Sequence, residues 1–277
     1  MAEILLKVLY KTVPGRLVLK GLTAPGLSRM AGTLLSSELS GKFVPWYIRK
    51  HNIDMNDIDI PADGYTSFNE FFTRKRREEQ PITSVAGTII SPCDGLLSVV
   101  PIHDNSTFRI KNTEYSLQQL LLDSELAEAM QGGLALIFRL TPQHYHRYCY
   151  STDGIVLHSR KINGRLHCVR PVALESAPVF IQNCREYQLI WVANKRFMVH
   201  MEIGALLVGK ISNYPLNDSF AEVHAGEEKG YFEFGGSTIV LLFEKDMVQL
   251  DCIPVKGTES QEEYPVHLGQ QLGRILL

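Results

Sequence analysis

The chain has 277 residues, 45% of them hydrophobic and 21% charged, which is the composition of a folded globular protein with material for a sizeable core. A formal net charge of −2 gives no support for nucleic-acid binding. Five cysteines (Cys93, Cys149, Cys168, Cys184 and Cys252) form no CxxC pair and are odd in number, which argues against a disulfide framework or a zinc site and for a reducing compartment.

The first fifty residues read as short helices broken at Pro14-Gly15 and Pro25-Gly26: EILLKVLYKT, RLVLKGLT, then LSRMAGTLLSSELSGKFVPWYIRKH. Residues 1 to 52 hold eight Lys or Arg against Glu3 and Glu38, a local balance of +6, so the remainder stands at −8. Apolar stripes with interspersed cations, plus Phe43, Trp46 and Tyr47, make up a helical arm suited to a membrane interface. The same stripe also suits a hairpin packed on its own domain. No apolar run approaches the roughly 18 residues of a spanning helix. The start MAEILLKVLYK lacks a signal peptide's basic lead and cleavage site, so neither membrane crossing nor export by that route is expected.

Ser67-Phe68-Asn69-Glu70 predicts a capping box opening a helix over FNEFFTRKRRE, with the charge run Arg74 to Glu79 as its solvated end. After Pro81 the texture turns to β-rich runs: GTIISP, LLSVVPI, ALIFRLT, GIVLHS, then YQLIWVA and RFMVHMEIG flanking Asn194-Lys195 as a hairpin. Helical pattern returns around SLQQLLLDSELAEAM. The expected fold class is α+β, a predominantly antiparallel β domain over residues 61–277 preceded by a helical, membrane-facing arm over residues 1–60.

Three stretches set a reactive side chain beside a turn-forming residue: SPCDG with Asp94, YHR with His146, and GGST with Ser237. Asp, His and Ser are the components of an activated nucleophile, although each alone has a duller explanation as a turn residue, a core histidine or a strand start. No G-x-S-x-G elbow surrounds Ser237, and Gly235-Gly236 lead to no phosphate loop. His144 and His146 have the H-x-H spacing of metal ligands, but no carboxylate or cysteine follows in support, so no metal is expected.

In their order and spacing, FNEFFTR, SPCDG, YHR, EIGALLVGKI and GYFEFGGST resemble the phosphatidylserine decarboxylase proenzyme family. The resemblance implies autocatalytic roles for Asp94, His146 and Ser237 and a self-inflicted cut between Gly236 and Ser237. With His146 as base, the Ser237 hydroxyl would attack the Gly236 carbonyl, which no Cβ shields; Asp94 would orient the imidazole. The products would be chains 1–236 and 237–277, held together as a heterodimer by the flanking FEF and TIVLLFE strands. Ser237 would become a covalent pyruvoyl cofactor, whose carbonyl condenses with a substrate amine and accepts the electrons released with CO₂. The implied substrate is phosphatidylserine, the product phosphatidylethanolamine and the place an anionic membrane surface, on the cytoplasmic face of a bacterial cell membrane.

The chain departs from the family's habits at His144, where an aspartate is common, at Cys149, where a histidine is common, and at Cys184 within Asn183-Cys184-Arg185. Rival readings are a pyruvoyl decarboxylase of a soluble amino acid, an uncleaved Ser-His-Asp hydrolase running near 31.2 kDa, and a non-catalytic membrane-binding module. The lipid-binding residues and a homo-oligomer are left open.

Overall fold

The computed structural model describes residues 2–77, 82, 85–110, 113–193, 196–205, 210–216, 220–234, 237–251 and 262–276. The arm consists of α1 (Ala2–Lys11), α2 (Val13–Leu22), α3 (Pro25–Leu35), a 3₁₀ segment (Glu38–Phe43) and α4 (Val44–His51). The expected break at Pro14-Gly15 falls at Thr12 instead. Thr12 Oγ1 accepts the Gly15 N–H at 3.0 Å, and Pro14 sits in the first turn, where its missing N–H costs nothing. The third stretch, expected as one helix, is divided. Ser37 and Ser40 hydroxyls donate to the Leu34 and Leu35 carbonyls, competing with helical bonding, and Pro45 starts a new helix.

Ser67 caps α5 (Phe68–Phe72) through the Glu70 N–H, while Glu70 accepts from the Thr66 N–H at 2.6 Å. The helix stops at Phe72, shorter than expected, because the following residues run extended: Arg76 bridges Ile58, and the Asp59 N–H donates to the Lys75 carbonyl.

Then follow β1 (Thr88–Ile90), β2 (Gly95–Pro101), β3 (Thr107–Ile110), β4 (Thr113–Ser116), α6 (Leu117–Leu121), α7 (Ser124–Ala129), β5 (Leu134–Leu140), β6 (Arg147–Cys149) and β7 (Gly154–Ile162). Next come α8 (Pro171–Leu174), α9 (Val179–Gln182), β8 (Arg185–Ala193), β9 (Arg196–Gly204), β10 (Ile211–Asn213), β11 (Glu222–Val223) and β12 (Glu228–Phe232). The chain closes with β13 (Ser237–Phe243), β14 (Val248–Leu250), β15 (Tyr264–Val266) and β16 (Gln271–Ile275). The β8–β9 pairing is the one the hairpin reading requires; Asn194 and Lys195 lie outside the described residues.

An antiparallel sheet of order β11-β7-β8-β9-β13-β5-β2-β15 forms the centre, flanked by the sheets β10-β12-β6 and β1-β16-β14 and the β3-β4 pair. One face packs on α6, α8 and α9, with Tyr10 and Leu19 of the arm; the other packs on Tyr148, Phe232, Leu272 and Ile275 of the small sheets. β13 alternates between them, Val240 and Leu242 to the helical side, Ile239, Leu241 and Phe243 to the sheet side. Burial on both faces explains its unbroken apolar run.

A third, aromatic cluster joins Val44 and Tyr47 of the arm to Phe68, Phe71 and Phe72 of α5, with Phe234 packed against it. Tyr47 meets Phe68 edge-on at 4.8 Å, and Phe68 meets Phe234 at 4.9 Å. The arm is therefore fastened to the β domain at both ends, by these rings and by Tyr10.

Candidate active site

Gly204 ends β9, Ser237 begins β13, and Leu140 ends β5; the register pairs Ser237 with both. On the next strand Leu96 pairs with Arg139, so Asp94 enters β2 at the same end of the sheet. Loop 141–146, leaving β5, carries His144 and then His146. Three segments distant in sequence thus converge on one row of strand ends. GGST does not interrupt a strand: Phe232 ends β12 in one sheet and Ser237 opens β13 in another, with the chain crossing between them. Gly235 and Gly236, which hold the expected cut, lie outside the described residues.

The Ser237 side chain is fully buried, its Oγ without a hydrogen-bond partner, on the face it shares with Ile239 and Leu241. His146 is 1% exposed and sealed by Phe72, whose ring lies 4.0 Å from the imidazole. Its Nδ1 lies 2.9 Å from the His144 carbonyl oxygen, which can only accept, so Nδ1 carries the proton and Nε2 is left as a bare lone pair. That Nε2 is also buried and unpartnered. Burial, reinforced by the nearby Arg74 charge, holds the imidazole well below the usual histidine range, so the ring is neutral. A neutral imidazole with a free nitrogen has the chemistry of a general base, and a serine hydroxyl that of a nucleophile.

Asp94 does not make the bond to His146 that its expected role implies. Its Oδ1 accepts the Leu268 N–H at 2.8 Å and its Oδ2 accepts from Arg76 at 3.0 Å, while the His144 carbonyl takes over the holding of Nδ1. His144 feels the Asp94 charge, which opposes the lowering of its pKa by burial. The Thr141 N–H donates to His144 Nδ1 at 3.0 Å and fixes the loop.

The departures from the family's habits have structural explanations. Cys149 is buried and its thiol pushed up to about 12, so it stays protonated and offers no base. Asn183 donates to the Gly204 carbonyl at 2.7 Å and pins the residue opposite Ser237, while Arg185 caps carbonyls of α6 and α9. Cys184 Sγ contacts the Gly164 backbone.

Two contributions escaped the sequence reading. The run Arg74 to Arg77 is no solvated helix end: Arg74 is buried and reaches the His144 carbonyl at 3.4 Å, and Arg76 holds Asp94. Glu78 and Glu79 lie outside the described residues. Lys229 and Glu202, both fully buried, pair at 2.7 and 2.8 Å on the face below Ser237, where Glu202 stands in register with Ile239. Asn213 accepts from Lys229 at 3.1 Å and from the Tyr148 hydroxyl at 3.0 Å. Their signal was present in the alternating segments MVHMEIG and EEKGYF, where a charge falls on an inward position.

The phosphatidylserine decarboxylase family profile matches residues 68–274. The chain is 38% identical over 270 residues to phosphatidylserine decarboxylase proenzyme 2 of Clostridium acetobutylicum, covering 97% of this chain and 91% of that one. It is 36% identical over 276 residues to the phosphatidylserine decarboxylase proenzyme of Ruminiclostridium cellulolyticum (98% and 91%), and 37% identical over 250 residues to that of Clostridium novyi (89% and 84%). On these matches, the chain belongs to the phosphatidylserine decarboxylase family.

Proposed function

We propose that the chain cuts itself between Gly236 and Ser237, and that the product decarboxylates phosphatidylserine to phosphatidylethanolamine at a membrane surface. What supports this reading is the family match over residues 68–274, together with a register that brings Ser237, Asp94 and the loop before His146 to one row of strand ends.

His146 Nε2 takes the Ser237 hydroxyl proton as Oγ bonds to the Gly236 carbonyl carbon. The C–N bond breaks, and the imidazolium returns its proton to the freed amine. Removal of the α-proton of residue 237 then expels Gly236 as a carboxylate by breaking the Cβ–Oγ bond, and water displaces the nitrogen as ammonia. Asp94 stabilises the imidazolium; held by Arg76 and Leu268, it acts across His144 rather than through a bond of its own. The pyruvoyl group left at residue 237 supplies a covalent hold on the substrate amine and a sink for the electrons released with CO₂. Ser237 suits that group: its position is buried, paired on both strand edges and set above the Lys229–Glu202 pair.

On this reading residues 1–60 are the arm and 61–277 the decarboxylase domain, a heterodimer of 1–236 and 237–277 after the cut. No helix among the described residues is long and apolar enough to cross a membrane. The arm instead exposes Ile4, Leu5, Val8, Val13, Leu17, Met30, Leu34, Phe43 and Trp46 beside its cations, which suits docking on an anionic surface, the cytoplasmic face of a bacterial cell membrane.

Intact mass measurement of the purified protein tests the reading. Two fragments are expected, the smaller with a blocked N-terminus at residue 237, and Ser237→Ala should run as one inactive chain near 31.2 kDa. A free serine at residue 237, or a Ser237→Ala chain that still splits there, would sink it.

A further inference from the structure

A cleft of ≈ 650 Å³ opens between α2 and the segments 164–167 and 176–182. Arg16 and Lys20 line it from the arm and Arg165 from the opposite side, and Tyr10 and His167 lie buried at its base. No acidic side chain lines it, and among the described residues none of the three cations is engaged in an ion pair. Glu175, next in the chain to the lining residue Ser176, is turned to Lys11 at 3.9 Å. Tyr10 Oη accepts the Cys168 N–H at 2.9 Å, so its own proton faces His167 Nδ1 at 3.4 Å. His167 Nε2 then carries the ring's proton and has no partner among the described residues, on a side chain only 8% exposed at the base of a cationic cleft.

On α2, Gly15 and Leu19 form the buried ridge, and Val13 and Leu17, each 65% exposed, form an apolar ridge open to solvent. Arg16 and Lys20, four residues apart, run between the two. A phosphate gripped at Arg16, Lys20 and Arg165 would therefore leave the rest of its molecule beside Val13 and Leu17, a geometry that suits acyl chains and offers a free phosphate nothing. We propose that this cleft binds the phosphodiester headgroup of an anionic phospholipid, which anchors the enzyme and is a different molecule from the one decarboxylated. Tyr10 and Leu19 belong to the core on the helical face of the central sheet, whereas Ser237 points to the other face. The proposal rests on the reading that the arm docks on anionic membrane, and it names the partner.

The test uses the full-length processed protein and co-sedimentation with phosphatidylglycerol–phosphatidylcholine vesicles. Arg165 lies outside the arm and its side chain makes no bond among the described residues, so Arg165→Gln removes a cleft charge without disturbing a helix. It should weaken binding about tenfold or more. Lys42→Gln, also exposed and outside the cleft, should lose no more than about fivefold, the worth of one diffuse surface charge. Wild-type affinity in Arg165→Gln, or equal losses in the two variants, would overturn the cleft while leaving arm docking intact. A wild-type protein that ignores these vesicles would overturn the docking reading and the cleft with it. Millimolar glycerol 3-phosphate should not displace the vesicles; displacement would make the ligand a soluble phosphate ester and overturn the lipid assignment.

Discussion

Strand β13 and the first two arm helices are short segments of similar apolar content with opposite fates. Every residue of Ser237–Phe243 is buried, whereas Ile4, Leu5, Val8, Val13 and Leu17 stand open to solvent. The strand must satisfy its backbone through neighbours, and it has one on each edge and a packed core on each face. The helices satisfy their backbones internally and need only one buried stripe, here Tyr10, Gly15 and Leu19. An apolar letter therefore means core in one segment and an unfilled contact surface in the other. The strand's two ladders also explain how a cut chain stays whole. Residues 237–277 are further tied to the large fragment by Arg139–Glu263 at 2.6 and 2.7 Å and by Asp94 on the Leu268 N–H.

The buried side of this contrast should break hardest at His146. His146→Ala should slow maturation by about 10²–10⁴-fold, the usual worth of general-base assistance. His144→Ala should mature almost normally, because the main-chain carbonyl rather than the imidazole holds His146 Nδ1. Gel analysis of precursor against time separates the two variants, and equal rates would remove the assignment.

Next in size is Phe72→Ala, which empties the space between His146 and the cluster that includes Tyr47 and Phe234. A loss of about 3–5 kcal/mol is expected in chemical denaturation, accompanied by slower maturation. A variant that keeps both stability and rate would show that the aromatic cluster neither supports the fold nor positions the base.

On the exposed side, Leu17→Gln should leave the fold unchanged and weaken vesicle binding about tenfold, since full burial of a leucine contributes roughly 1.5–3 kcal/mol. High salt should loosen wild-type binding without abolishing it, because the apolar share is insensitive to salt. Complete release by salt would mean that the apolar ridge never enters the surface.

The smallest effect is the pH response. Burial lowers the folded pKa of His146, His167 and His200 below 6.5, that of His167 to about 4. The unfolded chain then binds more protons as pH falls through 6.5, so stability should decline from there towards pH 4. Denaturation midpoints at pH 8, 6.5 and 5 check the sign, and a rise between 6.5 and 5 would break it. Maturation should hold its rate from pH 8 to 6.5, since His146 stays neutral throughout.

Several features of this protein followed from the sequence by itself: the α+β class, the helical arm with its surplus cations, the β8–β9 pair, and the family to which FNEFFTR, SPCDG, YHR and GGST point. These rest on local periodicity, on capping chemistry such as Ser67 with Glu70, and on motifs whose order survives in one dimension. Tertiary structure alone decided the rest. The chain changes sheets between Phe232 and Ser237, Arg74 and Arg76 serve the site, and Lys229 finds Glu202 beneath the serine. The choice of the His144 carbonyl over Asp94 as the support for His146 belongs with these. Each depends on which distant segment satisfies a buried polar group, and a polar side chain in a sequence carries its donors and acceptors but not the address of the partner that will meet them.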